Sequence, residues 1–410
     1  MNSVFNHNHL GTTMKASKLM FKITAAAAAL ACGQMAAAQG ISVTDYEEAT
    51  SEYQDAYVNG TFNAGKNRDD AQSTYELNLG LDYEQVFASP DRDVQLRFNG
   101  SGSVGRDGTE GASRVSRYEY ATSATADTYF NPSNSLAFWY GSVGLTGSDA
   151  FDSRRASLFG GAGYGRVKNV TPMAKAIRVV EELQSINRLK EAPTRAEYQK
   201  AANIIDREDE YRSKFGAADY KKEWVNDIAK ALDVSGKTGG QLDARDVLSI
   251  YDVLTFERIS TRKTGWKVRA GLGYVASSFN GLTDSDPALE VGGEYHYPLD
   301  NLTQFSNVAS LTTVLDSSST YLLRNAMSLT YELDRRLDWE NSWTLTHDVN
   351  GPSNTKSTVN TLSTGLIYEL RNQLDLTGTL SFSNYSGDQS VEKPNGTDTA
   401  LFIGVRYRLK

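Results

Sequence analysis

The chain has 410 residues, a formal net charge of −8 and a mean hydropathy of −0.46, with Gly and Tyr abundant and Pro scarce. The acidic balance speaks against a nucleic-acid partner. The one cysteine, Cys32, lies near the N-terminus, so disulfides and thiol chemistry are excluded from the rest.

Lys15, Lys18 and Lys22 precede a short, alanine-rich apolar run that closes on AAAQG. This is the pattern of a secretory signal peptide over residues 1–38, with Ala36 and Ala38 forming the small-x-small cleavage site. The run is too short for a membrane anchor. Lipidation of Cys32 would call for a branched aliphatic three residues earlier, where Ala29 stands. Met14 precedes the first lysine, so Met1 and Met14 are both candidate starts. No apolar run of membrane-spanning length follows. An exported chain of this kind is a secreted β protein or an outer-membrane barrel, whose strands look hydrophilic because every second residue faces a wet lumen.

Six alternating segments come first, near 53–64, 73–87, 93–106, 117–130, 134–147 and 154–166. Tyr75, Leu77, Leu79, Leu81 and Tyr83 share a face, as do Val94, Leu96 and Phe98. Residues 167–262 read differently. Thr171-Pro172 has the form of a helix N-cap with Pro at the first helical position, and Met173, Ile177, Val180 and Leu183 follow at helical spacing. Thr194 and Glu197 form a capping box leading to a stop at Phe215-Gly216. Tyr220, Trp224, Ile228 and Leu232 make a third stripe, closed by Ser235-Gly236. Val247, Tyr251 and Leu254 make a fourth. Four amphipathic helices can bury their apolar faces on one another, as a small helical domain.

Eight more strands follow, near 264–278, 288–298, 304–316, 320–333, 338–349, 357–370, 373–385 and 397–409. The short links at 89–92, 131–133, 335–336 and 372–373 fit periplasmic turns. The longer ones at 106–116, 281–287, 351–356 and 386–397 fit external loops. Fourteen strands and this alternation of connections predict an all-β transmembrane barrel, with residues 39–166 and 263–410 as its two halves. By strand parity the all-α insertion is periplasmic. In many strands an aromatic stands at one end of the apolar face, as in a lipid-facing girdle. A secreted β-sandwich would show the same alternation.

Gly404, Tyr407 and Leu409 in the last strand resemble the C-terminal signal read by the barrel-assembly machinery, from which the trailing Lys410 departs. Phe151-Asp152-Ser153-Arg154, Gly161-Ala162-Gly163-Tyr164-Gly165 and Gly265-Trp266-Lys267-Val268-Arg269-Ala270-Gly271-Leu272-Gly273-Tyr274 resemble the central hairpin of the bacterial salt-induced outer-membrane proteins. That likeness covers about a fifth of the chain and implies a barrel.

Residues opposite the apolar faces are the candidates for lining a pore. They are Arg97, Lys267, Arg269, Arg324, Arg406 and Arg408 against Glu76, Asp82, Glu290, Glu294, Glu332, Glu340, Glu369 and Asp375. Mixed charges of this kind line water-filled pores, and they also pair for structure. Arg406 and Arg408 are expected as an electropositive pair at the periplasmic mouth. His347-Asp348-Val349-Asn350-Gly351 resembles a stretch of the outer-membrane phospholipase, with Val349 where a nucleophile would stand. It reads as a girdle or loop histidine, so no enzyme is expected. His296 and His347 are unclustered, and no metal or cofactor is expected. Asp284-Ser285-Asp286 reads as a loop. Two functions fit: a pore for small hydrophilic solutes or ions, or an outer-membrane anchor whose helical domain docks an envelope partner or peptidoglycan. Outer-membrane lipid and the assembly machinery are the expected partners, and no residue pattern sets an oligomeric state.

Overall fold

The structure, a computed structural model, describes residues 40–47, 50–66, 71–131, 136–149, 154–189, 191–238, 243–279, 282–315, 320–351, 354–371, 373–388 and 395–409. The signal peptide with Ala36 and Ala38, Phe151 to Ser153, and Lys410 lie outside them.

Period-two alternation produces fourteen strands. They are β1 (Ser51–Gly65), β2 (Thr74–Ala88), β3 (Arg92–Arg106), β4 (Val115–Tyr129), β5 (Ala137–Ser148), β6 (Arg155–Asn169) and β7 (Lys263–Phe279). The second half holds β8 (Leu282–Pro298), β9 (Thr303–Val314), β10 (Tyr321–Asp334), β11 (Leu337–Asn350), β12 (Thr355–Arg371), β13 (Leu374–Gly387) and β14 (Gly396–Arg408). Each pairs antiparallel with its chain neighbours, and β1 meets β14 to close the barrel. Closure is what allows the sheet to sit in lipid, because an open edge there would leave backbone groups unpaired.

One end of the barrel, the turn end, carries both chain ends of the sheet and the links after β2, β4, β6, β8, β10 and β12. The other, the loop end, carries the rest. Two links differ from expectation. The β4–β5 link spans 130–136 rather than a three-residue turn, and Pro132 within it lies outside the described residues. The expected loop at 281–287 is instead strand: β7 and β8 stay in register out to Phe279 opposite Leu282. Asn-Gly at 280–281, also outside the described residues, is the sequence signal for such a two-residue connection. Asp284 to Asp286 are therefore strand residues.

Between β6 and β7 lie α1 (Thr171–Ser185), α2 (Arg195–Ile205), α3 (Glu208–Ala231), the short α4 (Val234–Thr238) and α5 (Ala244–Phe256). α1 buries Met173, Ile177, Val180 and Leu183 against α2 and α5. Its N-cap is Val170, not Thr171, and the residue before it, Asn169, accepts through Oδ1 from the Thr171 N–H (3.0 Å) and hydroxyl (2.6 Å). The Thr194–Glu197 capping box is present. α2 stops ten residues before the expected stop because Trp224 Nε1 donates to the Ile204 carbonyl (2.8 Å), satisfying a last-turn acceptor. Gly216 then interrupts α3 with φ 76°, a conformation that favours glycine. α3 ends before Asp233, itself left-handed at φ 51°, rather than at Gly236. In α5 the buried residues are Asp246, Ile250, Val253 and Leu254, so its inner face is offset from the expected Val247–Tyr251 stripe. Asp246 causes the offset, since Arg188 grips it at 2.5 and 2.7 Å.

Candidate functional site

The outer wall decides the environment. Leu77, Leu79, Leu81, Val143, Leu158, Val268, Leu272, Val291, Leu366, Leu376, Ile403 and Val405 are exposed on its middle. Phe130, Trp139, Tyr164, Trp266, Tyr295, Tyr297, Tyr368 and Tyr407 are exposed toward the turn end. Several touch around the rim, as Phe130 with Trp139 (5.1 Å) and Tyr164 with Trp266 (6.0 Å) do. An aliphatic belt with an aromatic girdle on a closed antiparallel sheet matches hydrocarbon bordered by an interface. The protein is an outer-membrane β-barrel.

Its interior differs along its length. Toward the loop end the inner wall is wet. Glu76, Asp82 and Arg324 are exposed although they face the lumen, and Asp82 accepts from Asn59 (3.3 Å) and Asn99 (2.8 Å). Arg324 has no ion pair among the described residues.

Deeper in, charges pair across and along the wall. Arg97 on β3 meets Glu84 on β2 at 3.0 Å, and Lys263 of β7 reaches the same carboxylate at 3.2 Å from the far side. Lys267 binds Asp127 of β4 (2.8 Å) and approaches Glu294 (3.7 Å). Arg269 binds Glu290 (3.3 Å) and lies over the Tyr140 ring. His296, buried, contacts Ser306 Oγ (2.9 Å) and Glu294 (3.5 Å).

Between β4 and β8 the interior is not wet, contrary to the expectation of a polar lumen face. Tyr129, Phe138, Tyr140, Phe159, Val275 and Ala288 form a buried apolar cluster on the inside. Inward glycines make room for it: a Cβ on Gly163 would lie 2.3 Å from the Phe138 ring, and one on Gly271 would lie 2.3 Å from the Tyr140 hydroxyl. The glycine-rich stretches of β6 and β7 are thus a floor for rings projecting from β5.

The turn end is bridged by ion pairs. The segment from Glu257 to Arg262, linking α5 to β7, runs across the mouth. Arg258 contacts Asp338 and Glu340 of β11 (both 3.3 Å) and Asp375 of β13 (3.4 Å). Thr261 donates to Asp55 of β1 (2.9 Å). Arg262, fully buried, binds Glu332 of β10 at 2.5 Å and the Leu302 carbonyl at 2.9 Å. From α1, Arg178 joins Glu332 (2.6 Å) to Glu257 (3.2 Å). Arg335 in the β10–β11 turn ties Glu182 and Glu257 from outside. One short segment therefore touches four strands, β10, β11, β13 and β1. Buried carboxylates here would be costly alone, and Glu332, Asp338 and Asp375 each have a guanidinium.

Glu332, Glu340 and Asp375 belong to this closure. Arg406 is bound to Asp375 (3.3 Å) over the Tyr57 ring, so it is not half of a free electropositive pair. Glu369 is buried, and neither it nor Arg408 has an ion pair among the described residues. Sequence reading missed Glu84, Asp127, Asp338, Arg178, Arg258 and Arg262. The last two had a visible signal: Arg258, Arg262 and Lys263 crowd the entry to a strand beside a wall with acidic residues at its strand ends. Gly404 lies inward against Thr61, while Tyr407 and Leu409 face outward. His347 bonds Tyr321 (3.1 Å) and Thr358 (2.7 Å) near the loop end.

A family model described as a protein of unknown function, DUF481, matches residues 254–370, less than a third of the chain. No curated protein matches. Among solved structures, the outer membrane channel DcaP of Acinetobacter baumannii is similar at 9% identity and a TM-score of 0.35, over 89% of this chain and 99% of that one. Omp33 of the same organism gives 9% and 0.30 over 88% and 99%. OprB of Pseudomonas putida gives 9% and 0.32 over 88% and 93%.

Proposed function

We propose that the barrel is a pore for small hydrophilic solutes or ions, with its turn end in the periplasm and the Glu257–Arg262 segment as its gate. The supporting observation is the contrast between a wet, charged inner wall at the loop end and an arginine-bolted closure at the turn end. The short links and both ends of the sheet favour a periplasmic turn end, since bacterial barrels keep their short turns there. Opening requires Arg258, Arg262 and Arg178 to leave carboxylates on strands that do not move, so the resting state conducts little. High salt weakens the exposed ties, such as Arg335 to Glu182, more than the buried ones.

Planar-bilayer recordings test this with the intact chain and with the Arg258→Ala/Arg178→Ala double variant. The double variant is expected to be open in a much larger fraction of recordings, at an unchanged unit conductance. Silence from both proteins, with correctly inserted barrels, would overturn the pore reading.

A further inference from the structure

The seam where the barrel closes is much shorter than any other strand pairing. β1 pairs with β2 along its whole length, from Ser51–Ala88 to Gly65–Thr74. β14 pairs with β13 from Tyr407–Leu374 to Gly396–Tyr385. Among the described residues of β1 and β14, Tyr57 to Gly60 pair with Arg408 to Val405, and one further bond joins Leu409 to Ala56. The same register continued would set Thr61 opposite Gly404 and so on to Gly65 opposite Ala400. All ten residues are strand, and none of these pairs forms. Thr61 and Gly404 still touch, a Cβ on Gly404 lying 2.9 Å from the Thr61 methyl; beyond them the strands run unpaired for roughly 13 Å, at about 3.3 Å per residue.

The groups left at the gap follow from alternation. The Leu409 N–H donates to the Ala56 carbonyl (2.8 Å), so even-numbered residues of β1 turn their main chain toward β14. Phe62 and Ala64 thus turn their main chain toward Ile403 and Leu401 without forming a ladder with them. Their side chains point to lipid: Phe62, Leu401 and Ile403 are each more than 60% exposed. The flanking strands place the gap within the apolar belt, since Leu77 and Leu79 pair with Phe62 and Gly60, and Leu380 and Gly378 with Leu401 and Ile403. Inside, Phe402, 36% exposed, shares the inner wall with Asn59, Asn78 and Asp82.

A backbone left unpaired in hydrocarbon is costly, but it is tolerated where it borders a water-filled cavity. The geometry points to a lateral portal between β1 and β14, through which an amphiphile with a polar head and an acyl chain exchanges between the lumen and the outer part of the bilayer. The head stays among the amides and carboxylates of β1 to β3, while the chain passes between Phe62 and Ile403 beside Phe402. This goes beyond the pore reading and stands without it, because it requires only a wet lumen and the open seam. The ionic closure of the turn end leaves the portal as the sideways exit from the loop-end half of the lumen.

Two measurements on the full chain in lipid vesicles test it. In the first, oxidation of a Phe62→Cys/Ile403→Cys pair is compared with that of Val58→Cys/Tyr407→Cys, an equivalent pair in the zipped part of the seam. The gap pair is expected to form its disulfide about tenfold more slowly, because cysteines whose Cα atoms lie beyond about 7 Å cannot be bridged without backbone movement. Equal rates would mean a closed seam and would overturn the portal. In the second, a fluorophore on Phe402→Cys is quenched by doxyl-stearate in the bilayer and compared with one on the inward Ser381→Cys of β13. Severalfold stronger quenching at 402 is expected. Equal quenching at both sites would show that no acyl chain enters the gap, whether or not the protein conducts ions.

Discussion

Asp246 is a buried carboxylate, and the reason it is tolerated is local. Arg188 holds it with two short bonds, and the Asp243 N–H adds a third at 3.1 Å. The Arg188 hydrogen bonds, against a smaller opposing effect of burial, hold its carboxyl below the usual carboxylate range. A group with a depressed folded pKa contributes stability that is present above its unfolded pKa and lost as pH falls through the folded one. The helices are therefore expected to melt at lower temperature as pH drops below the ordinary carboxylate range, read by helical circular dichroism. Asp246→Asn should lower the melting temperature of the helices and flatten that dependence. A pH-independent melting temperature in the native protein would remove Asp246 from this role. On the barrel, Leu329 and Thr330 test facing at single-residue resolution. Leu329 shares its face with the exposed Leu333, and Thr330 shares its own with Glu332. Leu329→Arg is expected to cost roughly 2–4 kcal/mol in a folding titration into lipid, since the guanidinium must enter hydrocarbon. Thr330→Arg, opposite Glu340 on the inner wall, should cost far less.

At the scale of elements, the two halves of the molecule are stabilised by different physics. The helices share a conventional core in which Trp224, Ile228, Leu232, Met173, Val179, Leu183 and Ile250 are almost wholly buried. Trp224 both fills that core and satisfies the end of α2. Trp224→Ala should cost about 3–5 kcal/mol and loosen the insert, while the strands, which share none of this core, still assemble. Protease cleavage confined to 171–256, with intact strands, is the expected pattern. Loss of the barrel as well would mean that the insert guides strand closure. β5, β6 and β7 depend instead on rings seated over glycines. Gly163→Leu would drive a side chain into Phe138 and into the Val268 carbonyl, 2.6 Å from the Cβ position. Its effect on the barrel should exceed that of the same change at the open Gly378.

At the scale of the whole molecule, a closed sheet with a short seam is kinetically trapped once zipped, since unfolding in lipid exposes every backbone group together. Unboiled protein is accordingly expected to migrate faster than boiled protein in a denaturing gel and to require detergent for solubility. Identical migration would contradict a closed barrel. The ionic closure joins the two halves into one device. Arg178, Arg258 and Arg262 come from the insert side and the wall carboxylates they bind from three strands, β10, β11 and β13, so this part of it exists only when the barrel has the right circumference.

What the sequence determined by itself was everything carried by short-range periodicity. Alternation at i and i+2 specified fourteen strands and the face of residues such as Leu329 and Lys267, because a strand sends successive side chains to opposite sides whatever it pairs with. Helical spacing and the Thr194–Glu197 box marked the insertion for the same reason. The errors at this level were matters of caps and turns: Val170 in place of Thr171 as the N-cap of α1, and the Asn-Gly link between β7 and β8. Only the tertiary structure decided what the inward residues do. Glu84 meets Lys263, Glu332 meets Arg178 and Arg262, and Asp375 meets Arg258 because the closed barrel and the insert at its mouth bring together residues far apart in sequence. Those meetings are set by circumference and stagger, which no local pattern encodes. The same holds for the rings packed over Gly163 and Gly271, and for the seam, where the register between the first and last strands leaves Phe62 and Ile403 apart.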